Sequence, residues 1–119
     1  MPNPFIHIEL NTTDLGKATD FYGEMFDWKL VELALADGPY ITIAVGGGTG
    51  GAMKTQLIPG EPSAWLPYVL VGDIEAAMEK ARALGATVIR EVTEVANMGY
   101  MSIIRDPTGA PLGLWKFLR

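Results

Sequence analysis

His7 and Glu9 stand one residue apart in the run Phe5-Ile6-His7-Ile8-Glu9-Leu10-Asn11 near the start of the chain. Imidazole and carboxylate can both exchange protons near neutral pH or ligate a metal. In extended backbone alternate residues share a face, which puts Phe5, His7, Glu9 and Asn11 on one side and Ile6, Ile8 and Leu10 on the other. His7 is the single histidine, and the absence of cysteine excludes a disulfide scaffold, a thiolate metal site and a cysteine nucleophile. Acid–base work without a metal would therefore fall to His7, Glu9, Glu61, Tyr40, Tyr68 or Tyr100. The sequence contains neither a Gly-x-Ser-x-Gly elbow nor a Walker motif. The glycine-rich Gly46 to Gly51 lacks the Gly-Lys-Ser/Thr ending of a phosphate loop. It reads as a hairpin connection in which glycine supplies positive φ.

These side chains need elements to position them. Phe5 to Asn11 reads as a strand whose aliphatic side packs on a helix, leaving the His7 side to water or to a polar pocket. Leu15, Ala18, Phe21, Tyr22, Met25 and Phe26 then recur at helical spacing, with Thr13 or Asp14 as N-cap, so a helix is expected over about 14–26. Strands are expected at Lys29 to Leu35, Tyr40 to Val45 and Ala52 to Leu57, separated by Asp37-Gly38-Pro39 and by the glycine run. After the linker 59–63 the order begins again. A strand runs from Trp65 to Val71, and Asp73 caps a helix with the stripe Ile74, Ala77, Met78, Ala81 and Leu84, which Gly85 ends. Strands follow at Thr87 to Glu91, Tyr100 to Arg105 and Leu112 to Phe117, with Asp106-Pro107-Thr108-Gly109 as a turn. Asp14-Leu15 and Ala18 match Asp73-Ile74 and Ala77 at a constant offset of 59. The chain thus reads as an α+β domain built from two βαβββ modules, about 5–58 and about 64–117. Neither half has enough helix to bury both faces of its own sheet, so the halves should pack together or exchange across a dimer.

Composition narrows the partners. The 119 residues fit one domain, and 49% of them are hydrophobic, which argues against disorder. A net charge of -5, with nine scattered Lys and Arg residues, disfavours nucleic acid. No apolar run reaches the roughly 18 residues of a membrane span, and Met1-Pro2-Asn3-Pro4 lacks the character of a signal peptide, so a cytoplasmic protein is expected.

Paired βαβββ modules, Thr13-Asp14-Leu15 before a helix holding Phe21-Tyr22, and Asp106-Pro107-Thr108-Gly109 before a last strand ending in Leu114-Trp115 resemble the vicinal oxygen chelate superfamily. That superfamily has the glyoxalase, bleomycin-resistance and dihydroxybiphenyl dioxygenase fold, and the resemblance covers nearly the whole chain. It implies strands curled around a cleft and, in metal-dependent members, four ligands, one on the first strand of each module and one near each module's last strand. His7 lies seven residues before Asp14, as the first-strand histidine of the family does. The matching position before Asp73 is Leu66, the closing acid falls at Gly113, and no Asp, Glu or His lies between Gly38 and Gly60.

One ligand position of four is therefore filled, so neither a metal nor another cofactor is expected. His7 then serves as a hydrogen-bonded histidine lining a polar cleft or as a proton-transfer group. Tyr68 shares a face with Leu66, and Trp115 shares one with Gly113. These rings either form a stacking pocket or fill the space that a metal site left. The expectation is a domain that binds a small organic molecule through His7, Glu9, Tyr40, Leu66, Tyr68, Tyr100, Gly113 and Trp115, as a homodimer. The alternative is a superfamily lyase, isomerase or dioxygenase with a partial metal site, and the sequence leaves catalysis open.

Overall fold

The structure, a computed structural model, describes residues 2–36, 38–56 and 59–118. Asp37 in the expected first turn, and Leu57 with the expected module end at 58, lie outside them. The element order is β1 (Phe5–Thr12), α1 (Leu15–Met25), β2 (Lys29–Leu35), β3 (Gly38–Ala44), β4 (Gly51–Thr55), β5 (Ala64–Leu70), α2 (Ile74–Ala83), β6 (Thr87–Val95), β7 (Gly99–Arg105) and β8 (Pro111–Phe117). This is βαβββ twice, an α+β fold with parallel and antiparallel strand pairs, as the sequence predicts. No helix among the described residues is long and apolar enough to cross a membrane.

Both helices start where an aspartate can satisfy an orphan amide. Asp14 Oδ1 accepts from Lys17 N at 3.0 Å, and Asp73 Oδ1 accepts from Ala76 N at 3.0 Å. In α2, Glu75 in the first turn and Lys80 and Arg82 in the last complement the helix dipole, and Gly85 at φ 101° turns the chain away. The glycine run is the β3–β4 hairpin connection, with Gly46 and Gly48 at positive φ.

Two compact units emerge, one from His7 to Leu66 and one formed by the segment before it together with the chain from Pro67 onward. In the first, the strand order is β2-β3-β4-β1, with β1 parallel to β4. Leu10, Ile41, Ile43 and Met53 form its core, and Leu15, Ala18, Tyr22, Trp28, Leu30 and Val45 pack against them. In the second, the order is β5-β8-β7-β6, with β5 parallel to β8. Ile74 and Met78 of α2 pack on Ile104 and Leu114 there. The segment ahead of β1 belongs to this second unit, where Pro4 O accepts from Leu70 N at 2.9 Å and Asn3 Nδ2 donates to Leu70 O at 2.8 Å. The expected linker is tied to the start of α1, since Ser63 Oγ accepts from Thr13 N at 2.9 Å.

Two expectations are corrected. β6 continues past Glu91 to Val95, because register shifts at Val88/Arg90 and Arg90/Thr93 interrupt the alternation by which a strand is recognised. In α1 only part of the apolar stripe is covered. Leu15, Ala18 and Tyr22 face the core, whereas Phe21, Met25 and Phe26 are exposed.

Candidate functional site

β1 carries His7 and Glu9 on the face opposite Leu10. Glu9 pairs with Ala52 of β4, and Ala52 pairs in turn with Thr42 of β3. The fully buried Ala52 has so small a side chain that Tyr40, two residues before Thr42, can reach across β4 to β1. Its hydroxyl donates to Glu9 Oε2 at 3.3 Å and lies 3.2 Å from His7 Nε2. His7 Nε2 and Glu9 Oε2 are 3.5 Å apart, so the three groups close a triangle.

The polar face of β1 is not a solvated face. The His7 side chain keeps 29% of its exposure, but that of Glu9 keeps 6%. Asn11, the next residue on this face, is 7% exposed, and its Oδ1 has no hydrogen-bond partner among the described residues. A buried acceptor left unsatisfied costs about 1–3 kcal/mol, which a donating ligand would recover. Strand alternation placed Asn11 beside Glu9, yet sequence reasoning passed it over because asparagine carries no signature of its own.

Burial pushes the Tyr40 phenol well above its ordinary range, and the Glu9 charge and hydrogen bond push it further. Tyr40 therefore stays protonated at neutral pH and acts as a donor. The triangle offers a carboxylate, an imidazole at the more open end and a neutral phenol, a set that can hold a polar group or move a proton.

The aromatic positions of the second unit are arranged differently. Tyr68 is 3% exposed, and its ring occupies the space a side chain at Gly113 would take, in van der Waals conflict with any added Cβ. The gap in the sequence is thus filled by a ring. Trp115 packs on Gly99, where a Cβ would come within 2.7 Å of the indole, and its buried Nε1 has no acceptor among the described residues. Tyr100 lies on the α2 side, packed against the Ile74–Met78 core with Lys116 Nζ 5.6 Å above its ring. Leu66 is buried and apolar.

The residues at the family's metal positions do not fit a metal. His7 is already engaged by Tyr40 and Glu9, and of the other three positions one is the apolar Leu66, one is the ring-covered Gly113 and one falls on β4, Gly51–Thr55, which has no Asp, Glu or His. Among the described residues no group of three or more His, Cys, Asp or Glu side chains is placed to hold an ion.

Paired four-stranded βαβββ arrays and a polar patch on the first strand define a vicinal-oxygen-chelate type of domain. The chain belongs to the Glyoxalase/Bleomycin resistance protein/Dioxygenase superfamily, which it matches over residues 5–114. It is 32% identical over 114 residues to "Putative glyoxylase CFP32" of Mycobacterium tuberculosis, covering 92% of this chain and 44% of that protein. It is 24% identical over 123 residues to "Anthracycline biosynthesis protein DauV" of a Streptomyces species, covering 91% of this chain and 45% of the relative. The chain thus spans less than half the length of these curated relatives. Its fold superposes on hypothetical protein BH1468 of Bacillus halodurans with a TM-score of 0.73 at 16% identity, covering 100% of this chain and 97% of the other. Methylmalonyl-CoA epimerase of Mycobacterium tuberculosis matches with a TM-score of 0.71 at 17% identity, covering 97% of this chain and 88% of the other. At such identities the likeness is one of fold.

Proposed function

We propose that this protein is a glyoxalase-like domain that binds a small organic molecule in the cytoplasm, as a homodimer, without the metal of its catalytic relatives. The observation that carries the reading is the triangle of Glu9, His7 and Tyr40 on the largely buried polar face of β1, beside an Asn11 oxygen that is unpaired among the described residues. An acceptor left unsatisfied at Asn11 costs stability, which a ligand donating to it would offset. A relative named for anthracycline biosynthesis also supports a small organic ligand. The test is to release and identify small molecules from gently purified wild type, Glu9→Gln and Tyr40→Phe. A compound stoichiometric with wild type and depleted in both variants is the expected result. Equal retention by all three would remove these residues from the site.

A second reading, a superfamily isomerase or lyase, draws on one specific feature: Glu9 and a phenol held protonated form a base and acid in contact. Turnover of a hemithioacetal or catechol that stops on adding chelator would favour a superfamily enzyme with a partial metal site over the binding domain. Turnover that survives chelator and is lost in Glu9→Gln would favour metal-free proton transfer.

A further inference from the structure

The internal repeat provides a control for the exposed rings of α1. At the offset of 59, Phe21 corresponds to Lys80, Phe26 to Gly85 and Trp28 to Thr87, while Met25 corresponds to the equally apolar Leu84. The same helix position in the same supersecondary unit is therefore satisfied by a lysine, and the fold does not demand a ring there. Yet Phe21 is 57% exposed and Met25 59%, with Phe26 and Trp65 also open to solvent. No residue of α1 is fully buried, whereas α2 buries Ile74 and Met78. The rings adjoin one another: Phe21 packs edge-on to Tyr22, Tyr22 stacks with Phe26 and Trp28, and Trp65 stands against Tyr22 and Trp28. A shallow hollow of about 180 Å³, lined by Ile8, Trp28, Ile43, Val45 and Trp65 among others, continues the surface.

We infer that this α1 face is the surface on which two copies of the chain pair about a twofold axis. The inference rests on the homodimer proposed above and deepens it by naming the contact. Charge supports a second copy as occupant. Lys17 lies one turn before Phe21 and Glu24 one turn after it, both exposed. Two antiparallel α1 helices with Phe21 near the axis bring Lys17 of each copy toward Glu24 of the other. Extent supports it too. Four apolar side chains at roughly half exposure bring on the order of 400 Å² per copy, so the anchors alone supply about half of a standard interface.

Sedimentation velocity of the whole chain over a micromolar dilution series tests the assignment. Wild type is expected to be dimeric. Phe21→Lys, which installs the residue that α2 carries, is expected to raise the dimer Kd by on the order of thirtyfold or more with unchanged circular dichroism. Leu84→Lys on α2 should leave the dimer intact. Lys17→Glu should weaken pairing, and adding Glu24→Lys to it should restore pairing. A dimer unaffected by Phe21→Lys and Lys17→Glu overturns the α1 face while leaving the homodimer standing. A wild type that is monomeric throughout the series overturns both.

Discussion

Glu9 is a buried carboxylate whose neighbours are a phenol and an imidazole, and the chemistry of the patch depends on its charge. Replacing it in Glu9→Gln removes the charge that helps to raise the Tyr40 phenol but leaves burial, the largest cause, and an amide oxygen able to accept the phenol's hydrogen bond. Ultraviolet titration of the phenolate should therefore show the Tyr40 pKa falling in Glu9→Gln while staying above the ordinary tyrosine value. The raised pKa also fixes the sign of a stability effect. Folded Tyr40 holds its proton above the pH at which the unfolded phenol releases it, so its contribution is complete below about pH 10 and is lost as pH rises further. Denaturant melts of wild type should lose stability above that pH, and Tyr40→Phe should lose less; parallel curves would remove Tyr40 as the cause. In the second unit, Gly113→Ala forces a methyl against the buried Tyr68 ring and is expected to cost roughly 1–3 kcal/mol in urea unfolding. A neutral result would mean that the ring can leave its place over the glycine.

At the scale of elements, Ala52 is the spacer that joins β3 to β1. Ala52→Leu should separate Tyr40 from Glu9, lower the phenol pKa and destabilise the fold by roughly 1–3 kcal/mol, both readable in the same titration and melt. Asp73→Ala should cost about 1 kcal/mol by stripping the α2 N-cap, and Asp14→Ala should do the same for α1. Those caps, Gly85 and the turn at Asp106 made the helices and the last hairpin legible, because each signal acts over one or two turns of chain. Asp106 accepts from Thr108 and Ala110, and those bonds hold its carboxyl below the ordinary range. The end of β6 was not legible, since a bulge breaks the alternation that marks a strand. Nor was the fate of the α1 stripe. Periodicity says which side chains share a face, but whether Leu15 or Phe21 meets the sheet depends on how the helix is rolled upon it. Reading His7, Glu9 and Asn11 onto one face needed only alternation. That Tyr40 joins them depends on β3 lying two strands from β1 with a small residue between, a matter of topology.

At the scale of the whole molecule, family membership fixes the architecture and leaves the reaction open. Of the four positions that the resemblance marks for metal ligands, one is a leucine, one a ring-covered glycine and one falls on a strand without acidic or imidazole groups. What the chain has instead is a polar patch on β1 and an exposed apolar face on α1, where the repeat carries Lys80 at the position of Phe21. The most direct measurement is native mass spectrometry of gently purified wild type and His7→Ala. Two chains with a copurified organic molecule and no stoichiometric transition metal is the expected result, with His7→Ala altering ligand occupancy alone. A stoichiometric zinc, nickel, iron or manganese ion in wild type that disappears in His7→Ala would contradict it.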